Sequence, residues 1–164
     1  MISQPHALIL RAPGINRDED AAAAIELAGG RAERVHINRI VEGSVQLNNY
    51  ALLIIPGGFS YGDHLGAGKL LAVDLIHRLG EQIQSFISAK RPVIGICNGF
   101  QVLVRAGILP GLVQANTTQT IARRGSGSGQ EATLTDNESA RFECRWVTLH
   151  ADPHSVCIFT QTLT

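Results

Sequence analysis

The chain has 164 residues, a length that suits one compact α/β domain with a core of its own. Hydrophobic residues make up 45% and charged residues 17%, which excludes a disordered polyelectrolyte. Formal net charge is zero, so no overall field steers the chain to nucleic acid or to an anionic membrane.

No apolar run approaches the roughly 20 residues of a membrane span. Met1 to Leu10 has no charged leading region and no small-residue cleavage site, so no signal peptide is expected. The three cysteines, Cys97, Cys144 and Cys157, are too scattered for a disulfide framework or a zinc knuckle, and no metal site is expected. This usage fits a reducing cytoplasm. Cys144 and Cys157 read as core or strand-surface residues.

Ala7-Leu-Ile-Leu10 is a short apolar run ended by Arg11-Ala-Pro-Gly14, a buried strand and a turn. Asn16 can cap the next helix, with Asp18, Glu19 and Asp20 in its positive first turn. That helix stops at Gly29-Gly30. Val35 and Ile37 alternate with polar neighbours and suggest a second strand. Ala51 to Ile55 is wholly apolar, as a parallel strand buried on both faces should be. Pro56-Gly57-Gly58 breaks it, and a glycine-rich loop, Phe59 to Gly68, follows. Helical stretches are expected from about Lys69 to Leu79 and from Glu81 to Ala89. Pro92 to Ile96 is another apolar strand, leading into an amphipathic helix from Phe100 to Ala106. Strands alternating with helices predict an open, mostly parallel sheet with helices on both faces. After Gly111 the chain turns polar, with a Gly125-Ser-Gly-Ser-Gly129 tip expected to be flexible. Phe142 to Leu149 and Cys157 to Phe159 suggest two later strands.

Gly95-Ile96-Cys97-Asn98-Gly99 has the G-x-nucleophile-x-G form between a strand and a helix, a nucleophile elbow. Such a turn lifts the nucleophile above the sheet, and the flanking glycines let backbone approach without a Cβ clash. The helix N-terminus after Cys97 favours a thiolate. The Asn98 N–H is placed for an oxyanion, and Gly58 N–H, at the tip of the neighbouring strand, is the natural second donor. A free cysteine is most often a small core residue. The elbow and its partner glycine loop turn that reading toward catalysis. Gly66-Ala-Gly-Lys-Leu70 lacks the Walker spacing, and Gly125 to Gly129 lacks a preceding strong strand, so neither reads as a phosphate loop.

These segments resemble the class I, triad-type glutamine amidotransferases. More narrowly, they resemble the glutaminase subunits of phosphoribosylformylglycinamidine synthase. The resemblance runs nearly the whole length. It rests on Ala12 to Asp18, on Ile55 to Asp63 with Gly66-Ala67-Gly68 behind it, on Gly95 to Gln101, and on Asn137 to Val147, where Ala140 stands in place of the usual glycine. It implies a flavodoxin-like sheet and a single amidotransferase domain over residues 1–164. It implies that Cys97 attacks the amide of glutamine and forms a glutamyl thioester, with Gly58 and Asn98 as the oxyanion hole. Gln101 would hold the substrate, with Gly57, Phe59, Asn137, Arg141 and Phe142 also lining the pocket. Ammonia would pass to a synthetase subunit that carries ATP and magnesium, beside a small accessory subunit. No cofactor is expected in this chain.

One element of that pattern is missing. The family completes its triad with a His-x-Glu pair, and none of His6, His36, His64, His77, His150 and His154 stands in one. The expectation is a chain inactive alone, either cut short of its base or a natural short form that has lost hydrolysis, and a cut would leave an uncovered sheet edge and apolar surface. His150 or His154 would be the substitute base if geometry allowed, since triads are set by geometry rather than sequence order. Two other readings stand beside catalysis. One is a docking or glutamine-binding module of the same complex. The other is a protein like DJ-1 and PfpI, which carries a cysteine on such an elbow and predicts a buried carboxylate beside it.

Overall fold

The computed structural model describes residues 4–110, 132–152, 154–155 and 157–160. The elements in order are β1 (His6–Arg11), α1 (Asp18–Leu27), β2 (Arg31–His36), α2 (Ile37–Val41), β3 (Leu52–Ile55), α3 (Lys69–Ser88), β4 (Val93–Gly95) and α4 (Asn98–Arg105). A single 3-10 turn occupies Leu47–Asn49, and Ser60–Asp63 is a tight kinked turn with Tyr61 (φ 54°), Gly62 (φ 66°) and Asp63 (φ 52°) in the left-handed region. The four strands form one parallel sheet in the order β2-β1-β3-β4.

Alternation along the strands sends side chains to two cores. Leu8 and Leu10 of β1 and Leu53 and Ile55 of β3 pack with Leu71, Leu75, Leu79 and Phe86 of α3 and with Val102 and Leu103 of α4. Ala7, Ile9 and Ile54 point to the other face, where Ala21, Ala22 and Ile25 of α1 cover them. The expected open parallel sheet with helices on both faces is the one found. Burying each such Leu or Ile contributes about 1.5–3 kcal/mol.

Several boundaries differ from the sequence reading. Ile37 does not continue β2. It opens α2, because His36 Nδ1 accepts from Asn38 N–H (3.2 Å) and caps that helix. Asn16 is not the cap of α1; Arg17 is, and it forms no side-chain cap bond. Asn16 is instead held by its own N–H, which donates to the Gly57 carbonyl (3.4 Å). The two helical stretches around Gly80 are one 20-residue helix. Its buried stripe of Leu71, Leu75, Leu79, Ile83 and Phe86 runs unbroken past Gly80. That packing outweighs the ~1 kcal/mol that a mid-helix glycine costs relative to alanine.

Residues up to Leu134 form one compact unit, and those from Thr135 form a second. Within the second, Ala140 N–H donates to the Asn137 carbonyl (2.8 Å) and Thr160 N–H to that of Cys157 (3.0 Å), closing two turns. The two strands expected here are absent among the described residues. Phe142, Trp146 and Leu149 are exposed, and a lone extended segment without a neighbouring ladder gains little. Cys144 and Cys157 are also exposed, not in a core. The Gly125 to Gly129 tip lies outside the described residues.

Candidate active site

Cys97 sits between the end of β4 and the start of α4 with φ 52° and ψ −111°, a backbone conformation that costs a non-glycine residue about 1–3 kcal/mol. The thiol is exposed. Three bonds hold the turn. Ile96 N–H donates to the Ile55 carbonyl (3.0 Å), Gly99 N–H to that of Ile96 (2.9 Å), and Gln101 N–H to that of Cys97 (3.1 Å). A Cβ on Gly95 would lie 2.7 Å from the Gly99 carbonyl oxygen, so the two glycines of the motif answer to each other. This is the elbow expected from sequence.

The loop after β3 lies against the elbow. A Cβ on Gly57 would rest 3.4 Å from Cys97 Cβ. Gly58, at φ 143°, forms an antiparallel bridge with Ile15. The flanking bonds run from Asn16 N–H to the Gly57 carbonyl (3.4 Å) and from Phe59 N–H to that of Gly14 (2.9 Å). Ile15 and Gly58 are therefore a pair not bonded to each other, and the N–H of Gly58 turns away from Ile15. Tyr61 N–H adds a third tie, to the Pro13 carbonyl (2.7 Å). Phe59, Ile96 and Phe100 leave apolar surface exposed.

Asn98, the first residue of α4, is buried. Its backbone N–H, like those of any helix's first turn, has no intrahelical acceptor. Its side chain is fully used. Oδ1 accepts from Ser60 N–H (3.1 Å) and Ser60 Oγ–H (2.7 Å). Nδ2 donates to Asp63 Oδ1 (3.1 Å) and to Gln101 Oε1 (3.2 Å). Asp63 Oδ1 also accepts from Gly68 N–H (3.0 Å), which fastens the loop to the start of α3. Nearby, Tyr61 donates to Asp74 Oδ2 (2.6 Å), and burial, with that carboxylate second, pushes its hydroxyl up to about 12.

The fold thus brings Cys97, Gly57, Gly58, Phe59, Asn98 and Gln101 together. Asn137, Arg141 and Phe142 lie in the second unit, where Asn137 Nδ2 donates to the Arg141 carbonyl (2.8 Å). Sequence reasoning gave Ser60 and Asp63 no role of their own. The signal was present in Asn98 itself, since a buried amide calls for partners on both its oxygen and its nitrogen. Among the described residues no histidine bonds to Cys97. His6 stacks on Tyr50, His36 caps α2, His64 packs on Gly62, and His77 lies exposed on α3. His150 and His154 are exposed in the second unit. The one buried carboxylate among the described residues, Asp18, pairs with Arg11 (2.9 Å) and Arg34 (3.3 Å) and not with the cysteine. Among the described residues no group of metal ligands occurs and no helix is long and apolar enough to cross a membrane.

Comparison with known proteins agrees with this geometry. The model of the CobB/CobQ-like glutamine amidotransferase domain matches residues 4–164. Phosphoribosylformylglycinamidine synthase subunit PurQ of Treponema denticola is 49% identical over 160 residues, covering 98% of this chain and 58% of that protein. The same subunit of Dehalococcoides mccartyi is 46% identical, with the same 98% and 58% coverage. A chain in the structure of PurLQS from Thermotoga maritima superposes with a TM-score of 0.64 at 30% identity, covering 88% of this chain and 54% of that one. The chain therefore spans a little over half the length of these relatives. With the elbow, the glycine loop and the matched family model in agreement, the chain belongs to the CobB/CobQ-like glutamine amidotransferase domain family.

Proposed function

We propose that this chain carries the nucleophile of a glutamine amidohydrolase that feeds ammonia to phosphoribosylformylglycinamidine synthase in purine biosynthesis. The observation that carries the reading is Cys97, an exposed thiol at positive φ between β4 and α4, with Gly57 against it. The relatives' names supply the synthase.

The thiolate of Cys97 adds to the side-chain amide carbon of glutamine, and the carbonyl oxygen becomes an oxyanion. Two N–H groups, those of Gly58 and Asn98, are available to it. The C–N bond breaks, the nitrogen takes up the proton that the Cys97 thiol gave up and leaves as ammonia, and a glutamyl thioester remains on sulfur. Water adds to the thioester and releases glutamate. Gln101, Gly57 and Phe59 form the near wall of the pocket. The partners are a synthetase subunit holding ATP and magnesium and a small accessory subunit, in the cytoplasm. The 164 residues contain no His-x-Glu pair.

The test is covalent labelling by diazo-oxo-norleucine, a glutamine-mimicking electrophile, read by intact mass, alongside glutamate release with and without the synthetase. Labelling at Cys97 without glutamate release is the expected result for these residues alone. Turnover by the isolated chain would mean that a histidine such as His150 or His154 serves as base. Absence of labelling would favour a docking module and overturn the hydrolase reading.

A further inference from the structure

We propose that Asp63 is a positioning residue: through the Asn98 amide it orients Gln101 so that the donor end of that side chain, Nε2, faces the ligand beside Cys97. The inference rests on the glutamine-hydrolase reading and adds the polarity of the recognition contact to it.

The argument is one of donors and acceptors. An amide side chain has one oxygen with two lone pairs and one nitrogen with two hydrogens. Ser60 fills both lone pairs of Asn98 Oδ1, with its backbone N–H (3.1 Å) and its hydroxyl (2.7 Å). Asn98 Nδ2 must then point the opposite way, and its two hydrogens reach Asp63 Oδ1 (3.1 Å) and Gln101 Oε1 (3.2 Å). Reversing Asn98 would set its nitrogen against the Ser60 N–H and its oxygen against the Asp63 carboxylate and Gln101 Oε1.

Asp63 is the member that cannot reverse, because a carboxylate only accepts. It is also fixed in place, since Gly68 N–H at the start of α3 donates to the same oxygen (3.0 Å). The Gln101 amide is thereby held with its oxygen on Asn98, which leaves Nε2 with two hydrogens that no acceptor meets among the described residues. Gln101 stands one helical turn past the nucleophile, its backbone N–H on the Cys97 carbonyl (3.1 Å). The part of the ligand that Gln101 meets is therefore an acceptor, a carboxylate or carbonyl oxygen. Asp63 lies at φ 52°, a conformation that asparagine and glycine also tolerate, so the position can be changed without backbone strain.

The experiment labels Cys97 in the full chain, with its synthetase partner, by diazo-oxo-norleucine at graded concentrations. Iodoacetamide, which needs the thiol but no amino-acid recognition, runs in parallel. Asp63→Gly should raise the half-saturating concentration of the glutamine mimic about tenfold, the loss expected for one well-placed hydrogen bond. Its limiting rate and the iodoacetamide rate should stay close to wild type. Asp63→Asn should restore recognition, because the asparagine oxygen can accept from Gly68 and Asn98 as Asp63 Oδ1 does. Gln101→Glu keeps the shape but offers no donor, and should weaken recognition at least as much as Asp63→Gly. If Asp63→Gly fails to fold, as a lost iodoacetamide profile would reveal, Gln101→Glu decides. Wild-type recognition in Gln101→Glu or in a folded Asp63→Gly, or no rescue by Asp63→Asn, overturns the relay while the hydrolase reading stands. A wild-type chain that reacts with iodoacetamide but never with the glutamine mimic overturns both.

Discussion

The α-carbon of Gly99 rests on the backbone of Ile55, so closely that a Cβ there would lie 1.9 Å from the Ile55 carbonyl oxygen. That oxygen already accepts from Ile96 N–H (3.0 Å), so it cannot move aside without breaking the elbow. Gly99→Ala should therefore destabilise the fold by about 3 kcal/mol or more, at the upper end of overpacking costs. Urea denaturation of the variant and wild type measures it, and a loss below about 1 kcal/mol would mean that α4 can lift off β3 freely.

The strain at Cys97 makes a second prediction. Its φ of 52° with ψ −111° suits glycine better than any residue with a Cβ. Cys97→Gly should be more stable than Cys97→Ala by about 1–2 kcal/mol, even though glycine gains more freedom on unfolding. Both variants should lose labelling by the glutamine mimic. Equal thermal midpoints for the two would show that the elbow stores no strain.

Two tyrosines give the stability an alkaline limit. Tyr50, which donates to Glu33 Oε2 (2.8 Å), is pushed up to about 12, first by burial and then by that bond. Tyr61 is raised to about 12 by burial and then by Asp74. Both hydroxyls keep their protons more tightly when folded than the ordinary 10.0 of an unfolded chain. Their contribution is whole below pH 10 and drains away as pH climbs from 10 to 12. Urea midpoints across that window should fall, and Tyr61→Phe should fall less steeply than wild type. Tyrosinate absorbance appearing near pH 10 in the folded protein would contradict this.

Asp18 anchors the start of α1 to the sheet. Its buried carboxylate meets Arg11 Nε at 2.9 Å and Arg34 Nη1 at 3.3 Å. Asp18→Asn should cost about 1–3 kcal/mol by removing the acceptor shared by two cations. Arg34→Ala should cost less than Asp18→Asn, since the arginine is partly solvated and Arg11 remains. Chemical denaturation of both variants tests the order, and a larger loss from Arg34→Ala would reverse it.

What the sequence revealed was local. The apolar runs around Leu8 and Leu53 could only be buried strands, and Gly95 to Gly99 could only be a tight turn. Errors came where neighbours in space decide. Gly80 reads as a helix break until its flanking leucines are seen to share one stripe. Ile37 reads as a strand until His36 caps the residue beyond it. Phe142 to Leu149 has strand composition but no ladder to join among the described residues. Asn98 was singled out for its backbone, whereas its side chain holds Ser60, 38 positions earlier, and Asp63, 35 positions earlier. No periodicity encodes a contact of that span.

The tie between Gly14 and Phe59 changes what the glycine-rich segment is. By composition, Pro56 to Gly62 should open and close on the nanosecond-to-microsecond scale of ordinary loops. Instead, the amides of Phe59 and Tyr61 are committed to the carbonyls of Gly14 and Pro13, and a second strand-like edge grows above the sheet from a motif near the N-terminus. Those two amide protons should exchange with deuterium at rates typical of the sheet, not of a loop. The wall beside the thiol is then part of the frame, and an insertion between Ala12 and Asn16, more than eighty residues before Cys97, should be felt there first.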